Sequence, residues 1–193
     1  WITNVNSSSI YFVIAQTDTS LGNKGINAFI VEKETTGVIV GKKEDKLGIR
    51  GSDTHSIMFN DVKVPKENRI GEDGFGFSFA MKTLSGGRIG IAAQALGIAS
   101  GAYELALEYS KQRKAFGKEI SRHQAIAFKL ADMVTEIDAA RLLCLRAAWL
   151  KDNGMNYDRE SAMAKVFASE TAMKTTTEAV QVHGGYGFVK EYH

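Results

Sequence analysis

The chain has 193 residues, 44% of them hydrophobic and 24% charged, a balance that excludes a disordered or fibrous chain and leaves room for one sizeable core or two small ones. Twenty-four basic against 22 acidic residues leave a net charge of +2, too even for a nucleic-acid-binding surface, so only local basic clusters bear on anionic small molecules. One cysteine, Cys144, set among apolar residues, excludes a disulfide framework and points to core filling in an intracellular compartment.

Trp1 rather than Met opens the chain, directly in strand-like material, so the expectation is a fragment with a further N-terminal portion. Short β-branched and aromatic runs follow: Ile10 to Gln16, Ala28 to Glu32, Gly37 to Val40 and Ser56 to Val64. Gly, Asn, Asp and Ser clusters separate them, which predicts an antiparallel β region. The lone proline, Pro65, marks the exit from it, because proline removes a ladder donor. A boundary near residue 68 divides a partial β domain, 1–68, from a helical domain, 69–193.

Past GEDGFG the period becomes helical. Phe79, Leu84, Ile91, Ala95, Ile98, Ala102, Leu105 and Tyr109 form a stripe on a long helix running to about Gln112. A second helix starts after Ser121 as N-cap, carries Ile126, Leu130, Met133, Ile137, Cys144 and Leu145, and ends at Gly154. A third runs from about Asp158 to Val182 with Ala162, Val166, Ala172 and Ala179 as small core residues, and Gly184 stops it. Strands first and helices second predict an α+β fold, an antiparallel β domain followed by an up-and-down helical bundle, and argue against βαβ alternation. No run of about 18 apolar residues and no charged-then-apolar leader is present, so neither a membrane span nor a secretory signal is expected.

Four stretches carry candidate chemistry. QVHGGYGF (181–188) follows a helix, whereas a dinucleotide fingerprint follows a strand and opens a helix, so the plainest reading is a helix stop and tight turn. That reading accounts for Gly184 but not for Gly185 and Gly187. LSGGRIGIA (84–92) puts Gly86 and Gly87 inside a helix at about 1 kcal/mol each relative to alanine. Close approach of a neighbouring helix and room for a ligand beside Arg88 explain them equally well. QRKAFGKEI (112–120) joins Arg113, Lys114 and Phe116 in an inter-helix loop that is either a solvated turn or a phosphate clamp with an aromatic plate. Trp1 and Thr3 in WITN offer a stacking plane and a hydroxyl. His55 and His123 read as ordinary polar positions, and no cluster has metal-ligand spacing.

Taken in order, WITN, KGINAFIV, KEDKLGIRGSDT, FNDVKVPKEN, SGGRIGIAAQALGIA, RKAFGKEI, HQAIAFKLADM and QVHGGYGF resemble the acyl-CoA dehydrogenase family over essentially the whole chain, most closely its short-chain, butyryl-CoA branch. The resemblance implies an N-terminal helical domain, a middle β domain and a C-terminal four-helix bundle, of which this chain holds the later parts. It implies FAD as cofactor. Trp1, Ile2 and Thr3 would face the flavin; Arg113, Phe116 and Gln124 would hold FAD across a subunit interface; and Gln181, Val182, His183, Gly184 and Gly185 would approach a partner subunit's FAD through main chain. Ser85, Gly86, Gly87 and Arg88 match the part of the family that contacts acyl-CoA.

The implied chemistry is α,β-desaturation of an acyl-CoA thioester, a carboxylate taking the α proton while the β hydrogen leaves as hydride to the flavin. The implied partners are acyl-CoA, an electron-transferring flavoprotein and further copies in a homotetramer. The family base in most branches is a Glu in a motif resembling YEGT, expected beyond residue 193. In the branches where the base precedes the helix arginine, this chain has Gly87, and Glu191 matches no family base, so no catalytic residue is assigned within the chain. An acyl-CoA oxidase, an electron-bifurcating relative and a non-catalytic oligomerisation module are the alternatives. The implied compartment is the cytoplasm for a bacterial protein and the mitochondrial matrix for a eukaryotic one.

Overall fold

The computed structural model describes residues 1–192, which divide into two compact units with the boundary between Lys82 and Thr83. The first holds six strands: β1 (Ile2–Thr3), β2 (Ile10–Gln16), β3 (Ile26–Glu32), β4 (Val38–Lys43), β5 (Thr54–Phe59) and β6 (Arg69–Ile70). They pair antiparallel in two sheets ordered β1-β5-β4 and β2-β3-β6. In β2, Tyr11 points inward while Ile10, Phe12 and Ile14 stay exposed, the period-2 alternation of a half-buried strand. Val5, Tyr11 and Val31 form the buried centre, with Val40, Ile57 and Val62 packed around it, so both sheets contribute to one core. Tyr11 donates its hydroxyl proton to the Val5 carbonyl at 2.9 Å, which satisfies the polar end of a buried ring.

The SIMFNDVKV run is shorter as a strand than its composition predicts. It stops at Phe59 because Asp61 turns the chain at φ 50°, although Val62 and Val64 still fill the core without pairing. The unit extends into the following helix, whose first turns cover the outer face of β2. Phe79 packs on Phe12 with ring centroids 5.1 Å apart, and Phe75 on Phe79 at 5.7 Å. Contacts therefore change hands inside that helix, past the change of texture near residue 68.

The loop after β1 is clasped by Asp53, whose carboxylate accepts the Asn6 N–H at 3.0 Å and the Ser7 hydroxyl and faces His55 Nε2 at 3.3 Å. His55, the second residue of β5, is buried, and its Nδ1 lies 2.9 Å from the Gly41 carbonyl. The Ser7 hydroxyl, more than the backbone N–H groups and the nearby imidazole, holds the Asp53 carboxyl below its usual range, against the opposing effect of burial. A depressed carboxyl contributes stability that is complete above its unfolded value near about 4 and is lost as pH falls through the folded value. Asp53→Asn is expected to flatten the acid limb of a denaturation-versus-pH curve below about pH 4. An unchanged slope there would remove Asp53 from the acid response.

The second unit is built on α1 (Phe75–Gln112), α2 (Gln124–Asp152) and α3 (Asp158–His183), with a small hairpin, β7 (Lys114–Ala115) and β8 (Lys118–Glu119), between the first two. This antiparallel β region followed by a helical bundle is the α+β order that the sequence predicts. Ala92 and Ala99 of α1, Ala140 and Ala147 of α2, and Ala164 and Ala168 of α3 are fully buried against one another. Alanine carries no side chain beyond Cβ, so α2 and α3 approach closely, and the shared core excludes water with little loss of side-chain entropy. Ion pairs Lys129–Glu178 and Lys174–Glu136 link α2 to α3 at the surface, where such pairs add little.

Three details depart from expectation. On α1 the inward face is the alanine stripe; Leu84, Ile91, Ile98 and Leu105 form a second apolar stripe that is 46–54% exposed. On α3 the expected Ala172 and Ala179 are buried, but Ala162 and Val166 are exposed and Ala164 and Ala168 fill the core in their place. Ser121 is no N-cap: it lies in a 3-10 turn, Ile120–Arg122, and His123 flanks α2 without a side-chain cap bond. Length and composition alone would let α1 cross a membrane, but its alanine face is one wall of the bundle core.

Candidate functional site

Three chain segments converge at one end of the bundle. The first is the end of α1, where the Arg113 N–H donates to the Tyr109 carbonyl at 2.9 Å and carries the chain into β7. β7 and β8 pair as Lys114↔Glu119 and Ala115↔Lys118, leaving Phe116 and Gly117 as a two-residue turn with φ 52° and 80°. Two positive φ values suit the twist of a tight hairpin, but the usual first residue is Asn, Asp or Gly. A phenylalanine there is strained. Phe116 is also 97% exposed, a large apolar ring held away from any core.

The second segment is the 3-10 turn that closes the hairpin. The Ile120 N–H donates to the Arg113 carbonyl at 2.9 Å, and His123 turns its Nε2 to the Ala115 carbonyl at 3.1 Å. The His123 ring meets Phe116 edge to face at 6.1 Å, so it buttresses the hairpin and is more than an ordinary polar position.

The third is the end of α3. His183 donates Nδ1–H to the Ala179 carbonyl at 2.8 Å and stacks on Tyr109 at 4.4 Å. Gly184 then turns the chain with φ 59° and ψ −131°, a conformation open to glycine, and its N–H bonds the Gln181 carbonyl. A 3-10 turn, Gly184–Phe188, follows. A Cβ on Gly187 would stand 2.4 Å from the Val180 carbonyl oxygen, so the turn lies backbone to backbone on α3. A Cβ on Gly185 would meet nothing within 4 Å. The paired glycines thus do different things: one makes the turn, and the other faces open space.

Between these segments lies an open cavity of about 570 Å³ lined by Arg113, Phe116, His123, Val182, His183 and Gly185, among others. Arg113 is the one permanently charged side chain among the described residues lining it, and the rest is mainly apolar or aromatic. A guanidinium, exposed backbone at a glycine turn and an aromatic plate suit a ligand that joins an anionic group to a planar ring.

Of the residues singled out in the sequence, Arg113, Phe116, Val182, His183, Gly184 and Gly185 line this cavity. Gln124 and Gln181 are exposed neighbours in the chain that do not line it. Ser85, Gly86, Gly87 and Arg88 lie roughly 36 Å away along α1, at about 1.5 Å per residue from Tyr109. Ser85 is buried and Arg88 half-buried. A Cβ on Gly86 would find only Lys151 Nζ at 3.8 Å and Tyr157 Oη at 3.9 Å, and one on Gly87 nothing within 4 Å. Among the described residues no helix backbone presses on these glycines. Trp1, Ile2 and Thr3 belong to the sheet unit. Trp1 is 84% exposed and donates its indole N–H to Glu44 at 2.8 Å, while Ile2 and Thr3 pair with His55 and Thr54 on an edge strand.

Tyr109 and Tyr186 were not singled out by the sequence as site residues, and His123 read there only as an ordinary polar position. Tyr109 merged with the apolar stripe of α1, although its spacing four residues before Arg113 puts both on one helix face. Tyr186 sat unremarked between Gly185 and Gly187. Burial pushes the Tyr109 hydroxyl up from its usual value, while Arg113 opposes the shift.

A family model for the C-terminal domain of acyl-CoA dehydrogenases matches residues 74–193, and one for the middle domain matches residues 1–62. The chain belongs to the acyl-CoA dehydrogenase family. It is 56% identical over 192 residues to the short-chain specific acyl-CoA dehydrogenase of Megasphaera elsdenii, covering 100% of this chain and 50% of that protein. It is 53% identical over 180 residues to CarC, a subunit of the caffeyl-CoA reductase-Etf complex of Acetobacterium woodii, covering 93% of this chain and 48% of that protein. The butyryl-CoA dehydrogenase structure from M. elsdenii superposes with a TM-score of 0.95 at 55% identity, over 99% of this chain and 50% of that one. PigA, solved with FAD and proline, superposes at 0.95 with 31% identity, over 98% and 49%. The chain spans about half the length of the curated relatives it matches. The unit boundary at Lys82/Thr83 falls past the start of the C-terminal domain match, as the packing of Phe75 and Phe79 on the sheet requires.

Proposed function

We propose that the protein is an FAD-dependent short-chain acyl-CoA dehydrogenase that converts a saturated acyl-CoA to the trans-2-enoyl-CoA and hands the electrons to an electron-transferring flavoprotein. The observation that carries this reading is the cavity at the end of the bundle, where Arg113, the exposed Phe116 and the glycine turn after α3 meet. Those residues fit FAD: Arg113 would hold an anionic oxygen of its pyrophosphate, Phe116 would lie against a ring, and the open Gly185 would let main chain come close. Bound FAD would supply the two-electron acceptor for the desaturation. Trp1 and Thr3 would border the flavin, and Gly86 and Gly87 would leave room for the thioester beside Arg88.

Phe116 projects outward from a hairpin tip, and the proposed acyl-CoA residues lie far along α1 from it. Both features support a ligand shared between subunits of a homo-oligomer, with each chain serving two flavin sites. The compartment follows the source, bacterial cytoplasm or mitochondrial matrix; the relatives include proteins of Bacillus subtilis and of mammalian mitochondria. A bifurcating role is the second reading, favoured by the 53% identity to a chain solved in work on flavin-based electron bifurcation in Acidaminococcus fermentans.

The test is anaerobic addition of an acyl-CoA chain-length series to the full-length protein, read as bleaching of the flavin. Bleaching is expected to be greatest with butyryl-CoA, with reoxidation by an electron-transferring flavoprotein rather than by oxygen. A maximum at long chains overturns the short-chain assignment, rapid peroxide formation once air is admitted indicates an oxidase, and no bleaching with any acyl-CoA rejects the activity.

A further inference from the structure

Arg113 carries the one fixed charge of the cavity, yet among the described residues no carboxylate stands within ion-pair distance of it. Its guanidinium carbon lies instead 5.7 Å from the centroid of the Tyr186 ring. That ring is fixed by its own neighbours. Tyr192 stands 5.2 Å from it and Tyr109 6.4 Å, and Tyr109 is stacked on His183, whose imidazole is bonded to the Ala179 carbonyl. Gly187, pressed against the Val180 carbonyl, holds the turn that carries Tyr186 on α3. The Tyr186 hydroxyl makes no hydrogen bond to a described residue, so its ring is the part in use.

An arginine side chain loses substantial rotamer freedom when it is ordered, and ordering it before the ligand arrives lowers the cost of binding. A carboxylate would order it too, but would cancel the charge that an incoming anion needs. An aromatic face orders the guanidinium through the ring quadrupole and leaves its charge intact.

We propose that Tyr186, braced by Tyr192 and Tyr109, is a positioning residue that pre-sets the Arg113 guanidinium for the anionic group of a pyrophosphate-bearing cofactor. The inference rests on the FAD reading above. Its signature is coupling: Tyr186 acts on the ligand through Arg113 and has no separate effect of its own.

The test is a double-mutant cycle in the full-length protein, with apoprotein titrated with FAD and thermal unfolding of the apoprotein as the control for folding. Tyr186→Met, which keeps most of the volume and removes the π face, is expected to raise the FAD dissociation constant by roughly 3- to 10-fold. Tyr186→Phe, which keeps the ring, restores wild-type retention. In an Arg113→Gln background, Tyr186→Met has no further effect. The proposal is overturned if Tyr186→Met binds FAD like wild type, or if it weakens binding equally with and without Arg113, which is the behaviour of packing alone. Should Arg113→Gln itself retain FAD normally, the cofactor reading of the cavity fails first, an outcome distinct from failure of the Tyr186 assignment.

Discussion

Arg113→Gln in the full-length protein lowers FAD affinity by roughly 10- to 100-fold. A hydrogen bond to a charged group is worth about 1.5–3 kcal/mol, and each 1.4 kcal/mol is about tenfold in affinity. Arg113 lines the cavity without a carboxylate partner among the described residues, so its removal leaves an anionic ligand facing apolar and aromatic walls. The loss is expected to shrink as ionic strength rises, because the wild-type attraction is screened and the variant has less to lose. Arg113→Lys recovers part of the affinity, since it keeps the charge and loses the planar fork that grips two oxygens. Titration of apoprotein with FAD at low and high salt reads all three effects. Unchanged affinity in Arg113→Gln would sink the assignment of this cavity to FAD.

Phe116→Asn moves stability and binding in opposite directions. The native φ of 52° is a left-handed conformation that phenylalanine adopts only under strain and asparagine accepts. Relief of a strained residue is worth about 1–3 kcal/mol, and the ring gives up little packing because it is 97% exposed. The apoprotein is therefore expected to unfold at a higher temperature than wild type. FAD binding weakens at the same time by about tenfold, as stacking of a heteroaromatic ring on an aromatic side chain is worth about 1–3 kcal/mol. The two shifts together identify strain retained for function: a residue kept for the fold would lower stability when replaced. A variant that is less stable and binds FAD equally well would place Phe116 in the fold, not in the site.

The elements themselves were largely legible because their signals are local. β2 begins at Ile10 and ends at Gln16 as its composition suggests, α1 ends at Gln112, and Gly154 and Gly184 both stand at helix ends with positive φ. The family was legible for a different reason: many short motifs occur in one order, which no single motif could establish. QVHGGYGF shows the limit of local reading. Its glycines suggested a helix stop, and Gly184 is one, but the tight approach of Gly187 to Val180 and the open surroundings of Gly185 are visible only once the turn has folded back on α3.

By itself the sequence determined where the longer strands and the three helices lie, that sheets precede a bundle, and which residue types could meet an anion and a ring. Tertiary structure alone decided which face of α1 is the inside. Its alanine stripe and its Leu84, Ile91, Ile98 and Leu105 stripe both recur at helical spacing, so periodicity cannot choose between them; burial of the alanine stripe in one cluster with the alanines of α2 and α3 does. It also decided that Tyr109, Arg113 and Tyr186 meet, because α1 and the turn after α3 are separated in the chain by the whole of α2 and α3. Side-chain contacts across that distance depend on how the helices pack, and local sequence carries no record of it.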